Sequence, residues 1–311
     1  MEDNAIKVLV LGGCGFIGSH IVDRLLAQGC AVRVFDRQHE RFRQPLRGVD
    51  YRIGNFGDRM AMFDALSDID AVMHLVSTTF PGTADLDPKV DVEDNLIGSI
   101  ALLDAMVRLS ISRVLFLSSG GTVYGIPDTI PIPETHRLQP ISSYGIVKVA
   151  IESYLAMYQR ARGISPVIIR ASNPYGPRQG HKGVQGVVTT FLSRLLSEEP
   201  IEIWGDGTVV RDYLHVADLA DLCVRALFTD RTGPYNAGSG VGTSVNDIVD
   251  VLRSATGQTI VPVYKPGRGL DVPRSVLDIS RAQESFDWAA QTDMQNGITE
   301  TWKWMCRQAA V

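Results

Sequence analysis

The chain has 311 residues, of which 45% are hydrophobic and 21% are charged. This composition supports a large buried core and excludes an intrinsically disordered protein. Because the formal net charge is −5, the chain lacks the basic field that non-specific binding to nucleic acid requires, and we expect no nucleic-acid partner.

The cysteines and the first residues indicate the compartment. None of the four cysteines has CxxC spacing or a histidine neighbour, which argues against a metal site and against a disulfide framework. The acidic residues 1–4 lead directly into an apolar strand, so we expect neither a signal peptide nor a membrane partner. These features fit a reducing cytoplasm.

The first predicted element is an apolar strand over residues 7–11, which runs into a glycine-rich loop and the start of a helix. In the loop, Gly12 permits a tight turn, Gly15 lets the backbone approach a phosphate, and Gly18 lets the helix pack closely on the strand. Free N–H groups and the helix dipole at this point favour a bound dinucleotide pyrophosphate.

The second predicted strand, residues 31–35, ends in Asp36, close to the spacing expected for an acid that binds the adenosine ribose. Glycine-rich turns without a ligand are common, but Asp36 is independent evidence that this loop binds a dinucleotide. Together the two βα units predict a dinucleotide-binding domain.

Later in the chain, apolar strands continue to alternate with amphipathic helices. This pattern indicates α/β architecture with a parallel sheet covered on both faces, a Rossmann-type doubly wound fold. The predicted strands are residues 51–54, 71–76, 113–117 and 167–170, and the predicted helices are residues 96–109 and 143–162.

Beyond Arg170 the sequence changes to Gly- and Pro-rich loops with short strands at residues 201–204 and 260–264. We interpret this region as a smaller C-terminal substrate-binding lobe, with part of residues 211–238 returning to the main sheet. The predicted domains are therefore residues 1–170 with 211–238, which form the cofactor domain, and residues 171–210 with 239–311, which form the lobe.

Tyr144 and Lys148 are four residues apart, so a helix places them on one face. A tyrosine that acts as a base near neutral pH needs its pKa lowered by about three units, or roughly 4 kcal/mol of differential stabilisation. Two positive charges, the ammonium and an oxidised nicotinamide, could supply this. The same spacing is common on solvated helix faces, but the position after a dinucleotide loop favours a catalytic pair.

The predicted fifth strand ends in a polar segment, residues 117–125. Ligands of open α/β sheets bind at the carboxyl edge of the strands, where this segment lies. A hydroxyl there, from Ser119 or Thr122, could bind a reacting alcohol or ketone and steer its proton to Tyr144.

These motifs resemble extended short-chain dehydrogenases/reductases, in the branch of nucleotide-sugar epimerases and dehydratases. The resemblance covers nearly the whole chain and rests also on residues 94–99, 170–179, 205–213 and 268–271. It implies NAD as cofactor, a nucleotide-sugar substrate with UDP as the expected nucleotide, and a homodimer in which residues 96–109 and 143–162 form a four-helix bundle with their symmetry mates.

The resemblance also implies roles for individual residues. Tyr144 is expected to be the acid/base, with Lys148 holding the nicotinamide ribose and lowering the pKa of the tyrosine. Asp36 favours NAD over NADP, although the adjacent Arg37 weakens that preference. The cofactor contacts implied are Gly12, Gly15, Phe16, Ile17, Gly18, Asp36, Arg37, Asn55, Phe56, Leu75, Asn95, Ser118, Tyr144 and Lys148; the substrate contacts are Thr78, Asn173, Arg178, Arg211, Arg268 and Ser275.

Two positions depart from the family pattern. The catalytic hydroxyl is usually the third residue of a Ser-Ser-Ser/Thr run, where this chain has Gly120, so Ser119 or Thr122 must take the role. An Asp that commonly contacts the adenine amino group is replaced by Asn55, whose amide oxygen can still accept that hydrogen bond.

The segment after the fifth strand discriminates between reactions. The related dehydratases carry an Asp-Glu pair where this chain has Gly121 and Thr122, and the related decarboxylases carry a Glu that is also missing. Without these carboxylates, elimination lacks its acid and base, and 4-epimerisation is favoured. The alternatives are a nucleotide-sugar reductase, dehydrogenase or dehydratase, and a dinucleotide sensor without activity. Ser275 stands where hexose-restricted relatives carry Tyr, which favours a UDP-N-acetylhexosamine or a uronate.

Overall fold

The computed structural model describes residues 5–79, 84–180, 186–267 and 272–309. Its strands are β1 (Lys7–Leu11), β2 (Ala31–Asp36), β3 (Val49–Ile53), β4 (Ala71–His74), β5 (Arg113–Ser119), β6 (Ser165–Ala171), β7 (Asn173–Tyr175), β8 (Glu202–Trp204), β9 (Val210–His215), β10 (Gly233–Ala237), β11 (Gly242–Ser244), β12 (Val263–Lys265) and β13 (Arg274–Ser275).

The helices follow the predicted alternation with the strands. They are α1 (Phe16–Ala27), α2 (Arg59–Ala65), α3 (Pro88–Asp91), α4 (Gly98–Arg108), α5 (Ser143–Arg162), α6 (Val187–Leu196), α7 (Val216–Leu227), α8 (Val245–Thr256), α9 (Ser280–Phe286) and α10 (Met294–Ala309). A π-helical turn, Val92–Ile97, joins α3 to α4.

Seven strands form the main sheet in the order β10-β6-β5-β4-β1-β2-β3. The pairs from β3 to β5 are parallel, with β1 between β2 and β4. The strand order therefore reverses next to β1, and ligands of doubly wound sheets bind at this kind of switch point. The predicted Rossmann-type fold is confirmed.

The main sheet is apolar because both of its faces are covered by helices. Leu9 and Phe116 on the strands and Leu102 on α4 are almost completely buried in one hydrophobic cluster. Burial of a side chain of this size contributes about 1.5–3 kcal/mol. The cluster holds α5 against the sheet through Ile151 and Leu155.

Helix α5 has clear signals at both ends. The Ser142 hydroxyl accepts a hydrogen bond from the Gly145 N–H at 3.3 Å, and Gly163 ends the helix at φ 73°. These are the N-cap and C-terminal residues that helices prefer. Because both ends are fixed, the position of Tyr144 and Lys148 in the first two turns is fixed as well.

The residues fall into two compact units with discontinuous boundaries. The first contains residues 1–125, 137–170 and 220–235, and the second contains residues 126–136, 171–219 and 236–311. The segment 126–136, which the sequence analysis places in the cofactor domain, lies in the second unit, where Ile132 forms a bridge with Leu277. Within residues 211–238, β10 joins the main sheet, whereas β9 belongs to a different sheet.

The second unit is organised around β9, which pairs with β7, β11 and β13. Its core includes Leu192, Ile248, Leu252 and Ile298, all fully buried, from α6, α8 and α10. The predicted strands 201–204 and 260–264 appear as β8 and β12, which pair with each other.

Arg113, at the start of β5, ties the discontinuous segments of the first unit together. Its guanidinium donates to the carbonyl oxygens of Ala226, Leu227 and Arg231 at 2.6, 2.8 and 2.9 Å. The last carbonyls of a helix lack partners within the helix. Arg113 therefore satisfies the carboxyl end of α7.

In the part of the chain that the structure describes, no helix is long and apolar enough to span a bilayer. The cysteines at positions 14, 30, 223 and 306 are all free thiols.

Candidate active site

The glycine loop brings the first turn of α1 against the end of β1. Gly12 adopts φ +83°, and a Cβ at Gly18 would lie 2.1 Å from the Gly12 carbonyl oxygen. The helix has no side-chain cap at Gly15 and no acidic residue in its first turn. Since the first N–H groups of a helix have no partner within it, the N–H groups of Phe16 and Ile17 suit an anionic ligand.

Asp36 ends β2 beside this loop. Its carboxylate accepts hydrogen bonds from the Cys14 N–H at 3.0 Å and the Gln38 N–H at 3.3 Å. Burial raises the pKa of Asp36, while these backbone N–H groups and the charge of Arg37 oppose the rise. The acid is thus held at the loop.

A cavity of about 270 Å³ runs along the loop and Asp36. Its lining combines two glycines of the loop with a carboxylate at the end of β2, an arrangement that suits a dinucleotide. The predicted residues among its lining are Gly12, Gly15, Asp36, Arg37, Asn55, Phe56, Leu75 and Thr78.

Asn55 and Phe56 line this cavity but also serve the fold. The Asn55 amide oxygen accepts a hydrogen bond from the Gly57 N–H at 3.2 Å, which engages it in a turn. The Phe56 ring lies 5.0 Å from the His74 ring, and a Cβ at Gly98 would approach it to 2.5 Å. Phe56 therefore joins the cavity wall to the start of α4.

Tyr144 and Lys148 lie on one face of α5, as predicted. Lys148 is buried, its Nζ donates to the Leu117 carbonyl oxygen at 3.0 Å, and Nζ lies 5.5 Å from the centroid of the Tyr144 ring. The Phe116 ring is closer, with its centroid 4.7 Å from Nζ. The ammonium is therefore fixed between α5 and the end of β5.

The pKa values of this pair differ from the expected ones. Burial raises the pKa of Tyr144 to about 12, with a side-chain hydrogen bond to Ser77 opposing the rise and the charge of Asp91 adding to it. Burial lowers the pKa of Lys148 to about 8, against the charges of Asp91 and Glu152. In the protein alone, the expected lowering of the tyrosine pKa by Lys148 is not found, and the phenol stays protonated at neutral pH.

The hydroxyls at the end of β5 divide into engaged and available groups. Ser118 is buried and its hydroxyl donates to Glu152 at 2.5 Å. The Ser119 carbonyl oxygen accepts the N–H groups of Thr122 and Val123. Within the described part of the chain, the buried Thr122 hydroxyl has no hydrogen-bond partner. Of the two candidate residues, Thr122 therefore has a hydroxyl that is available to a ligand, while the predicted cofactor contact Ser118 is already engaged.

Thr122 also lies next to the start of α5. A Cβ added at Gly145 would approach the Thr122 carbonyl oxygen to 2.9 Å. Thr78, the predicted substrate contact in the first unit, has a buried hydroxyl that likewise finds no partner among the described residues. Both threonines therefore carry unused hydrogen-bonding capacity.

Asn95, expected near the nicotinamide, uses its amide within the protein. Its oxygen accepts the Thr78 N–H at 2.9 Å. Its nitrogen donates to Asp91 at 2.9 Å and to the Thr79 hydroxyl at 3.1 Å. Asn95 therefore holds the loop after β4, which borders the cavity.

The predicted substrate residues in the second unit cluster around β9. Arg211 and Ser275 are register partners on β9 and β13, and Asn173 on β7 pairs with Tyr213. The Arg211 guanidinium donates to the carbonyl oxygens of Val210 and Val272. Three residues drawn from separate motifs are thus neighbours in one sheet.

The other two predicted substrate residues are Arg178 and Arg268. Arg178 is partly buried and adopts φ 69° in the turn after β7. Arg268 lies outside the described residues.

Known proteins share this sequence pattern and this fold. The family model described as the NAD dependent epimerase/dehydratase family matches residues 8–238. The chain belongs to that family. A solved UDP-glucose 4-epimerase from Thermotoga maritima with UDP-glucose is 34% identical, with a TM-score of 0.94, and the match covers 98% of this chain and 100% of the other.

Two further solved structures show the range of the family. The UDP-glucose 4-epimerase of Thermus thermophilus, in complex with NAD, is 33% identical, with a TM-score of 0.90, over 98% of this chain and 100% of that one. The UDP-N-acetylglucosamine 4-epimerase of Methanobrevibacter ruminantium, in complex with UDP-N-acetylmuramic acid, is 27% identical, with a TM-score of 0.92, over 98% and 99%. The expected family, NAD cofactor and nucleotide-sugar epimerase class are confirmed.

Three residues at the site were missed by the sequence analysis. Ser77 contacts the Tyr144 phenol, Asp91 accepts a hydrogen bond from Asn95, and Glu152 receives the Ser118 hydroxyl. The four-residue spacings from Asp91 to Asn95 and from Lys148 to Glu152 are signals that could have placed each acid beside a predicted site residue.

The two candidate hydroxyls can be separated by isosteric substitution. We expect Thr122→Val to lower kcat by about 100-fold or more, since proton transfer assisted by a positioned side chain is worth roughly 10²- to 10⁴-fold, with a smaller effect for Ser119→Ala. The measurement is steady-state turnover of both variants, with bound NAD quantified. A larger loss in Ser119→Ala would assign the role to Ser119.

Proposed function

We propose that this protein is an NAD-dependent UDP-sugar 4-epimerase that acts on a UDP-N-acetylhexosamine or a similarly large UDP-sugar such as a uronate. The reaction oxidises the C4 alcohol to a ketone, lets the sugar rotate, and returns hydride to the opposite face. Bound NAD supplies the hydride acceptor and donor. The observation that carries the proposal is the Tyr144–Lys148 pair on α5, in the same unit as a glycine loop suited to a dinucleotide.

Each residue then has a defined task. Tyr144 exchanges the proton of the C4 oxygen, and the Thr122 hydroxyl orients that oxygen. Lys148 would hold the nicotinamide ribose, and its charge together with that of oxidised nicotinamide would favour the phenolate. The substrate diphosphate is held by charge-assisted donors, which suits arginine; the proposed contacts are Asn173, Arg178, Arg211 and Arg268.

The local sequence after β5 argues against a dehydratase. Positions 120–122 are Gly-Gly-Thr, so the carboxylates that a dehydratase needs at this point are absent from the sequence. A reductase would release its cofactor after each turnover, whereas epimerisation regenerates NAD. A sensor without activity has no need of a buried Lys148 beside Tyr144.

The preference for an acetamido sugar rests on Ser275. This small side chain is 9% exposed and is the register partner of Arg211. The similar Methanobrevibacter enzyme is named a UDP-N-acetylglucosamine 4-epimerase, which supports the proposal. Such an enzyme in a reducing cytoplasm would provide activated sugars for polysaccharide biosynthesis.

A product assay with a matched variant tests the reaction. Incubation with UDP-glucose, UDP-N-acetylglucosamine and UDP-glucuronate should give the C4 epimer of at least one, identified by NMR, without net consumption of NAD. Tyr144→Phe should keep NAD binding and lose turnover by several orders of magnitude, because it removes the exchanging proton. If the variant keeps more than about a tenth of the activity, a barrier change of only about 1.4 kcal/mol, the proposed role of Tyr144 is wrong.

A change of volume at Ser275 tests the sugar. Ser275→Tyr should fill the space for the 2-acetamido group and lower kcat/KM for UDP-N-acetylglucosamine relative to UDP-glucose by roughly 5- to 150-fold, since overpacking costs about 1–3 kcal/mol. Ser275→Ala is the matched control and should leave the ratio unchanged. If the ratio of the two kcat/KM values is unchanged in Ser275→Tyr, or if the wild-type enzyme is inactive on acetamido sugars, the proposed preference is wrong.

We also propose that the protein is a homodimer. Helices α4 and α5 pack together, and α5 exposes an apolar stripe of Ile146, Tyr154 and Met157, with relative exposures of 55, 37 and 44%. Ile97, at the end of the π-helical turn, is 46% exposed. Apolar helix faces of this kind form the cores of four-helix bundles.

Light scattering at micromolar concentration should report a dimer for the wild type. Met157→Glu places a charge in the apolar stripe and should shift the equilibrium toward monomer, because an unpaired charge is costly in an apolar interface. Gln295→Glu, at an exposed position on α10, is the control and should remain dimeric. A monomeric wild type contradicts the assembly.

A further inference from the structure

A buried carboxylate that the proposed reaction does not use lies beside the catalytic pair. Asp91 ends α3 and is 1% exposed. One oxygen accepts the Thr79 hydroxyl at 2.6 Å and the Asn95 amide at 2.9 Å, and the other accepts the Ser143 hydroxyl at 2.8 Å. These hydrogen bonds join the loop after β4, the π-helical turn and the first residue of α5.

The surroundings of Asp91 make it more than a structural link. Burial of a carboxylate is costly unless its charge is compensated, and these three hydrogen bonds come from neutral hydroxyl and amide groups. The π-helical turn that begins next to it is a rare local structure that often marks functional sites. Ser143 is the immediate neighbour of Tyr144, so Asp91 holds the residue that places the phenol.

The charged groups near Lys148 and Tyr144 differ in how they are compensated. Asp91 acts on both residues, whereas Glu152 acts on Lys148 alone. Glu152 is neutralised by Arg170, whose guanidinium lies 2.6 Å away. On the other elements packed around the pair, the Asp85 carboxylate accepts the Ser143 N–H at 2.7 Å, and burial lowers the pKa of His74 to about 3, which keeps it neutral.

We propose that Asp91 is a positioning residue for the reaction, which anchors the first turn of α5 through Ser143 and supplies the fixed negative charge that Lys148 and Tyr144 face. The inference rests on the proposed function only in taking Tyr144 and Lys148 as the reacting pair. The inference gives Asp91, at the end of α3, a role in the protonation of that pair.

The electrostatic part can be measured without turnover. The chain has six lysines, so 13C-lysine labelling and comparison with Lys148→Arg identify the Lys148 signal in an NMR titration. Asp91→Asn should lower the pKa of Lys148 below its wild-type value of about 8, because loss of a nearby negative charge destabilises the ammonium. Glu93→Gln removes the same charge from an exposed position on the π-helical turn and should leave that pKa unchanged.

The pH dependence of turnover gives a second measurement. Lys148 is charged below its pKa, so activity should fall as the pH rises through that value. In Asp91→Asn this alkaline limb should begin at a lower pH, and kcat on the plateau should fall by about 10- to 100-fold, with KM changed less, since misplacement of a reacting group costs about this much.

Ser143→Ala separates the two parts of the proposal and also serves if Asp91→Asn fails to fold. It removes one hydrogen bond and keeps the carboxylate, so it should lower kcat without moving the pKa of Lys148. An unchanged pKa in a folded Asp91→Asn, an equal change in Glu93→Gln, or an unchanged kcat in Ser143→Ala would overturn the inference. The NMR titration requires no turnover, so it tests the role of Asp91 even if the protein epimerises no UDP-sugar. A failure of one proposal can therefore be distinguished from a failure of the other.

Discussion

The close approach of α1 to the end of β1 is the constraint on which the candidate cofactor site depends. No side chain fits between Gly18 and the Gly12 carbonyl oxygen, so the first turn of the helix lies directly at the end of the strand. This position leaves the N–H groups of the first turn at the switch point of the sheet. The cavity, Asp36 and the loop after β4 are all arranged around that point.

Around the start of α5, several polar side chains are engaged by partners within the protein. Ser118 is bound to Glu152 and Asn95 is bound to Asp91 and the loop after β4. Thr122 and Thr78 keep unused hydroxyls among the described residues. These two hydroxyls therefore lie beside side chains that are already held in place by hydrogen bonds.

The elements that position the site could be predicted from the sequence because their signals are local. The glycine loop, the apolar strands and the two ends of α5 depend only on nearby residues, and they match the structure closely. The parallel main sheet follows from the same α/β pattern.

The predictions that differ from the structure have a different cause, because they concern features that depend on residues distant in the sequence. Segment 126–136 joins the second unit through the bridge of Ile132 with Leu277, which no local pattern indicates. The π-helical turn at 92–97 was predicted partly as ordinary helix. The pKa of Tyr144 is dominated by burial, a property of the folded protein that the four-residue spacing to Lys148 does not reveal.

The discontinuous chain path determines how the protein can be divided. The chain passes between its two units after residues 125, 136, 170, 219 and 235. A fragment that ended at Arg170 would lose β10, so β6 would become an edge strand with unpaired backbone groups, a recognised route to aggregation. It would also remove the α7 carbonyls that Arg113 satisfies. Neither unit can therefore be isolated by a single cut, because the segments of each unit alternate along the chain with segments of the other.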